Sequence, residues 1–70
     1  MNLTELIGKR VRVRVQLGAS ESIFNGVVES ADDAAGVFEM TDKFGAKQIF
    51  NVKQILHLAE LNGNEGWEKP

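Results

Sequence analysis

The chain has 70 residues, with eight Lys plus Arg, ten Asp plus Glu, one His, no Cys and one Pro, and a formal net charge of −2. A chain this short forms one domain and buries only about 60% of the surface its unfolded form exposes, so its stability is marginal. Disulfides are excluded as reinforcement and a lone histidine, His57, argues against a structural zinc site, which leaves tight packing or a partner subunit.

In chain order, Asn2-Leu3-Thr4-Glu5 places a Glu three positions after a capping residue, ahead of Leu6 and Ile7. This predicts an N-terminal helical turn over residues 1–8, with Asn2 as N-cap and Gly8 in the positive φ that ends it. Lys9 to Leu17 alternates strictly, Val11, Val13 and Val15 on one face and Arg10, Arg12 and Arg14 on the other. Period two over such a run is a half-buried strand. Gly18-Ala19-Ser20-Glu21-Ser22 reads as a turn and Ile23 to Ser30 as a second strand. Within it, Gly26 marks a bend or a close approach of another element.

Asp32-Asp33-Ala34-Ala35-Gly36 is the next turn, its acids read as turn-formers through side-chain bonds to nearby N–H groups. A third strand runs from Val37 to Thr41 with Phe38 and Met40 inward. After Asp42-Lys43-Phe44-Gly45, a fourth covers Lys47 to Val52. Lys53-Gln54 forms a corner, and Ile55 to Leu61 is a fifth strand. Short strands separated by regular turn signals predict an all-β fold, a small five-stranded, strongly bent antiparallel SH3-like barrel over residues 1–61. Residues 62–70, Trp67 among them, lack apolar periodicity and are expected to form a mobile acidic tail.

Charge is polarised although its sum is small. Through residue 58, Lys9, Arg10, Arg12, Arg14, Lys43, Lys47 and Lys53 balance Glu5, Glu21, Glu29, Asp32, Asp33, Glu39 and Asp42. The net −2 therefore belongs to the last residues, where Glu60, Glu65 and Glu68 stand against Lys69. No apolar run approaches the roughly 18 residues that span a membrane, and the first residues lack a basic segment, so a cytoplasmic setting is expected. No small-molecule substrate, cofactor or metal site is evident. The absence of a nucleophile–His–acid constellation excludes the usual hydrolytic chemistries, and the chain reads as non-catalytic.

Leu3, Leu6 and Ile7 before Gly8-Lys9-Arg10-Val11-Arg12-Val13 resemble the entry into an Sm-like domain, where a short helix leads into the first strand. Gly26-Val27-Val28-Glu29-Ser30-Ala31-Asp32 resembles the first Sm signature, and Phe50-Asn51-Val52 with Ile55 and Leu58 resembles the second in hydrophobic spacing. The resemblance covers roughly residues 3–61. It implies a homo-oligomeric ring in which the last strand of one subunit pairs with the fourth-strand edge of the next, and RNA bound at loops near Asp32, Gly36 and Asn51. Gly36 stands where that family usually has Asn, and Asn51-Val52 where it has Arg-Gly, so an amide and a guanidinium that hold the base are missing. Phe24-Asn25-Gly26-Val27-Val28-Glu29, Phe44-Gly45 and Phe50 to Ile55 also resemble the KOW-type barrel of transcription and ribosomal proteins.

Candidate binding residues follow. Arg10, Arg12 and Arg14 repeat at about 6.6 Å, similar to phosphates along an extended single strand. Alternatively they form a solvated face paired across strands with Glu29 and Glu39. Phe44, between Lys43 and Lys47, either stacks a base or folds back to plug the barrel end. Lys47 and Lys53 add positive charge. Ile55, Leu56 and Leu58 make the last strand apolar on both faces, a pairing hazard unless another chain covers it, and Ile49 is the matching candidate on the fourth strand. The expected partners are a second copy of the chain, through edge-strand pairing, and RNA or another single-stranded nucleic acid. The rival is a structural or protein-interaction barrel, or a KOW-like module, without a nucleic-acid site.

Overall fold

The computed structural model describes residues 2–62. The alternation of Val and Arg becomes β1 (Arg10–Leu17), whose Val11, Val13 and Val15 are fully buried. A two-residue loop, Gly18-Ala19, turns it into β2 (Ser20–Asp32), with Leu17 opposite Ser20 and Gln16 opposite Glu21. Glu21 and Ser22, expected in the turn, are thus already paired. A tight loop is favoured here because its twist matches that of the strands it joins.

β2 is the spine of the fold. Thirteen residues in a straight strand would extend about 40 Å, longer than the largest dimension of the molecule, 36 Å. It must bend. Its first part pairs with β1, its last part with β3 (Val37–Asp42), and Gly26 belongs to both ladders, opposite Val11 and Asp42. A side chain at Gly26 would collide with Met40 Cε and the Thr41 carbonyl oxygen, so the glycine expected at a bend is required there by the backbone of β3. Past Val28, Glu29 is an extra residue in the pairing with β3, a bulge that sharpens the bend.

β4 (Lys47–Asn51) pairs with β3, and a 3₁₀ turn (Val52–Gln54) leads into β5 (Ile55–Glu60), which returns to pair with β1. The result is a single antiparallel sheet in the order β4-β3-β2-β1-β5, with β4 and β5 as its edges. All-β architecture and inward Phe38 and Met40 agree with expectation. Phe50 packs between Phe24 and Phe38 at ring-centroid distances of 5.2 and 5.8 Å, tilted in each case, an arrangement favoured by ring quadrupoles.

Two expectations need correction. Leu56 is an extra residue between the Arg14–His57 and Val15–Ile55 pairs. This bulge shifts the phase of β5, so Ile55 and Leu58, three apart, both pack against the core, and only Leu56 of that trio is turned out. His57 and Leu56, expected to alternate, are therefore both exposed, while Ile55 and Leu58 are partly buried against the core.

The second concerns the N-terminus. The predicted helical turn is a 3₁₀ turn (Leu3–Leu6), and the Asn2 side chain does not cap it. Asn2 Oδ1 accepts from Thr4 Oγ1 at 2.7 Å, while the Asp33 carboxylate accepts from the Leu3 and Thr4 N–H groups. The cap comes from thirty residues away. It fixes Leu3 in the core, and Gly8, at φ +85°, ends the segment with its N–H donating to the Val28 carbonyl at 2.8 Å. The expected tail, Trp67 included, lies outside the described residues apart from Asn62.

Candidate nucleic-acid interface

Because the valines of β1 point inward, its arginines stand on the outer face of the sheet. Arg12 lies between Asn25 of β2 and Ala59 of β5, and Arg14 between Ile23 and His57. Arg12 Nε donates to Asn25 Oδ1 at 2.9 Å. Arg14 Nε is 3.7 Å from Glu21 Oε1, with both side chains about half exposed, so the pair is loose and screened. The cross-strand partners expected for the arginines were Glu29 and Glu39. Instead Glu29 occupies the bulge, and Glu39 faces Lys47 Nζ at 4.0 Å.

The turn between β3 and β4 is built around Asp42. Its carboxylate accepts from the Phe44 and Ala46 N–H groups, both at 2.9 Å, and from Gln48 Nε2 at 3.3 Å. These donors, the Ala46 N–H foremost, favour the ionised form and hold the Asp42 carboxyl below its ordinary pKa. The Lys43 N–H donates to the Asn25 carbonyl at 2.9 Å and docks the turn on β2. Phe44 does not plug the barrel end. It is 85% exposed, with Lys43 Nζ 5.4 Å from its ring centroid.

These two features adjoin. A groove of about 220 Å³ runs between Phe44, Lys43 and the Ile23–Asn25 stretch of β2, and another of about 270 Å³ lies among Arg12, Arg14, Ile23 and His57. Ile23, 62% exposed, is the wall they share. The sequence pattern did not single out Ile23 or Asn25. The signal was present in the loop length: Gly18-Ala19 as a two-residue connection sets Ile23 opposite Arg14 and Asn25 opposite Arg12.

Asp32, Gly36, Asn51 and Lys53 assemble elsewhere. Asp32 Oδ1 accepts from the Ala35 N–H at 3.1 Å, the turn-forming role expected of it. The Gly36 carbonyl accepts from the Val52 N–H at 2.8 Å, which brings together the two loops singled out in the sequence. Gly36 itself has φ +68° and a Cβ there would lie 3.1 Å from Val52 Cγ2. Asn51 is occupied as the cap of the second 3₁₀ turn, its Oδ1 accepting from the Lys53 N–H at 2.9 Å while Gln54 Oε1 accepts from the Asn51 N–H at 3.1 Å.

Beside these loops is a hollow of about 470 Å³, between Leu3, Asp33, Val52 and the start of β5. Both Asp33 oxygens are engaged by the N-terminal turn, and the Leu3 N–H above all keeps that carboxyl below its ordinary pKa. Among the described residues, no three His, Cys, Asp or Glu side chains cluster closely enough to hold a metal ion.

The candidates thus fall into separate groups. Phe44 and Lys47 sit at one end of the β3–β4 hairpin and Gly36 and Asn51 at the other, four strand steps or roughly 13 Å apart. The arginines adjoin the Phe44 end. Ile49 and Leu56, 69% and 47% exposed, lie on the two edge strands. No helix among the described residues is long and apolar enough to cross a membrane. The chain matches no protein-family model, no curated protein and no solved structure.

Proposed function

We propose that the chain is a non-catalytic, Sm-like barrel that binds RNA, or single-stranded nucleic acid more broadly, with weak sequence preference and as a homo-oligomeric ring. The observation that carries the reading is the outer-face position of the β1 arginines. Arg12 bonds to a neutral amide and makes no ion pair among the described residues, and Arg14 has a loose carboxylate partner that a phosphate can replace. Assembly is supported by the two edge strands, each with an exposed aliphatic side chain, Ile49 on β4 and Leu56 on β5, suited to head-to-tail pairing that closes by rotation.

Light scattering coupled to size exclusion tests the ring, and a titration of a short single-stranded RNA across salt concentrations tests the ligand. The expected mass is a multiple of 7.7 kDa, and Ile49→Asp or Leu56→Asp returns it to the monomer. A wild-type monomer removes the ring and favours a KOW-like single barrel. Phosphate-driven binding weakens steeply with salt. No affinity even at low salt favours the protein-interaction barrel, for which the absent side chain at Gly36 and the occupied one at Asn51 already speak.

A further inference from the structure

Phe44 is anomalous within its own chain. The sequence has four phenylalanines, and the other members, Phe24, Phe38 and Phe50, form one packed cluster in which Phe38 and Phe50 are buried. Phe44 is 85% exposed, yet its backbone is held by Asp42 and its turn is docked to Asn25, so the ring is presented on a fixed support. A preordered aromatic loses little conformational freedom when it binds.

From this ring a row crosses the sheet. Ile23 on β2 lies next to the turn, directly opposite Arg14 on β1, which is in turn opposite His57 on β5. Two strand spacings separate Ile23 from His57, about 10 Å. Arg12 flanks the row one pleat along, beside Asn25. Lys43 stands over the Phe44 ring at the other end. An aromatic face, an aliphatic wall and spaced cations in sequence match a chain of alternating flat bases and phosphates.

We infer that a single-stranded nucleic acid is held along this row, with a base stacked on Phe44, the sugar against Ile23, and successive phosphates at Arg14 and Arg12. The inference rests on the functional reading above and gives it a location, distinct from the loops around Gly36 and Asn51. A duplex is a poor ligand, because its base faces are stacked within the helix and closed to Phe44. The loose Arg14–Glu21 pair opens when a phosphate arrives, since both side chains are half exposed and the exchange leaves no buried charge.

The test is fluorescence anisotropy of the full chain with a labelled oligouridylate and with a blunt RNA duplex, each variant first shown by its melting curve to be fully folded at the assay temperature. Phe44→Ala is expected to weaken oligouridylate binding roughly tenfold or more, and Phe44→Trp to restore it. The double change Arg12→Gln with Arg14→Gln should lower the slope of log affinity against log salt by about 1.4, two phosphate contacts on a single strand. If wild type binds oligouridylate but Phe44→Ala binds equally well, or the loss follows Asn51→Ala instead, the row is wrong and the functional reading stands. Tighter binding of the duplex also overturns the row. Failure of wild type to bind at low salt overturns both.

Discussion

Gly26→Ala is the most revealing single change in this fold. The added methyl collides with Met40 Cε and with the Thr41 carbonyl oxygen, and lies 3.0 Å from Asp42 Cα. Met40 is completely buried, and Thr41 and Asp42 are held in the ladder opposite Val27 and Gly26, so neither obstacle can yield alone. Forcing an extra methyl into a packed interior costs about 1–3 kcal/mol, and the involvement of backbone places this case at the upper end, about 3 kcal/mol. In a domain of this size each kcal/mol moves the melting temperature by about 4–8 °C, which gives a fall of roughly 12–24 °C.

The comparison is Gly8→Ala, where the methyl meets nothing within 4 Å but the backbone sits at φ +85°. Its cost is that of a left-handed residue, about 1–2 kcal/mol. Thermal unfolding followed by circular dichroism therefore ranks wild type above Gly8→Ala and Gly8→Ala above Gly26→Ala. A Gly26→Ala protein that melts with wild type, or above Gly8→Ala, refutes the close approach of β2 and β3.

Two further outcomes are expected. The Asp33 and Asp42 carboxyls lie below their ordinary value of 3.8 in the folded chain, through backbone donors from Leu3 and Ala46 respectively. Their contribution is fully present above that value and is lost as pH falls through the lower folded one. The melting temperature of Asp33→Asn should consequently fall less steeply than that of wild type at acid pH; parallel acid limbs would remove Asp33 as the cap of the N-terminal turn. Asn51→Ala removes the acceptor of the Lys53 N–H from the second 3₁₀ turn at a cost of about 1 kcal/mol, read as a lower urea midpoint together with faster exchange of the Lys53 N–H. An unchanged midpoint would show that the cap contributes nothing to stability.

The strand alternation of β1, the bend at Gly26 and the inward Phe38 and Met40 were legible because each depends on a local pattern and a single face. What escaped depends on contacts between distant residues or on a break in the pattern. Asp33 sits thirty residues from the N–H it caps, and nothing in Asp-Asp-Ala-Ala-Gly separates it from Asp32, which caps its own turn. The bulges at Glu29 and Leu56 each insert one residue, and a period-two reading carried across an insertion assigns every later side chain to the wrong face. For the candidate site, the arginines and Phe44 were visible as residue types, but their adjacency through Ile23 depends on the register of one hairpin.

Leu56 has one more implication. Remove it in thought, and Ile55, His57 and Leu58 still face Val15, Arg14 and Val13 in unbroken order. Leu56 has no partner of its own in the register with β1, and the core cluster does not include its side chain. Leu56 is thus a position at which chain length and surface chemistry are uncoupled from the barrel. Size, charge or even presence can change there while the sheet keeps its alignment, so the edge of β5 is open to drift or to selection for a neighbour independently of the interior.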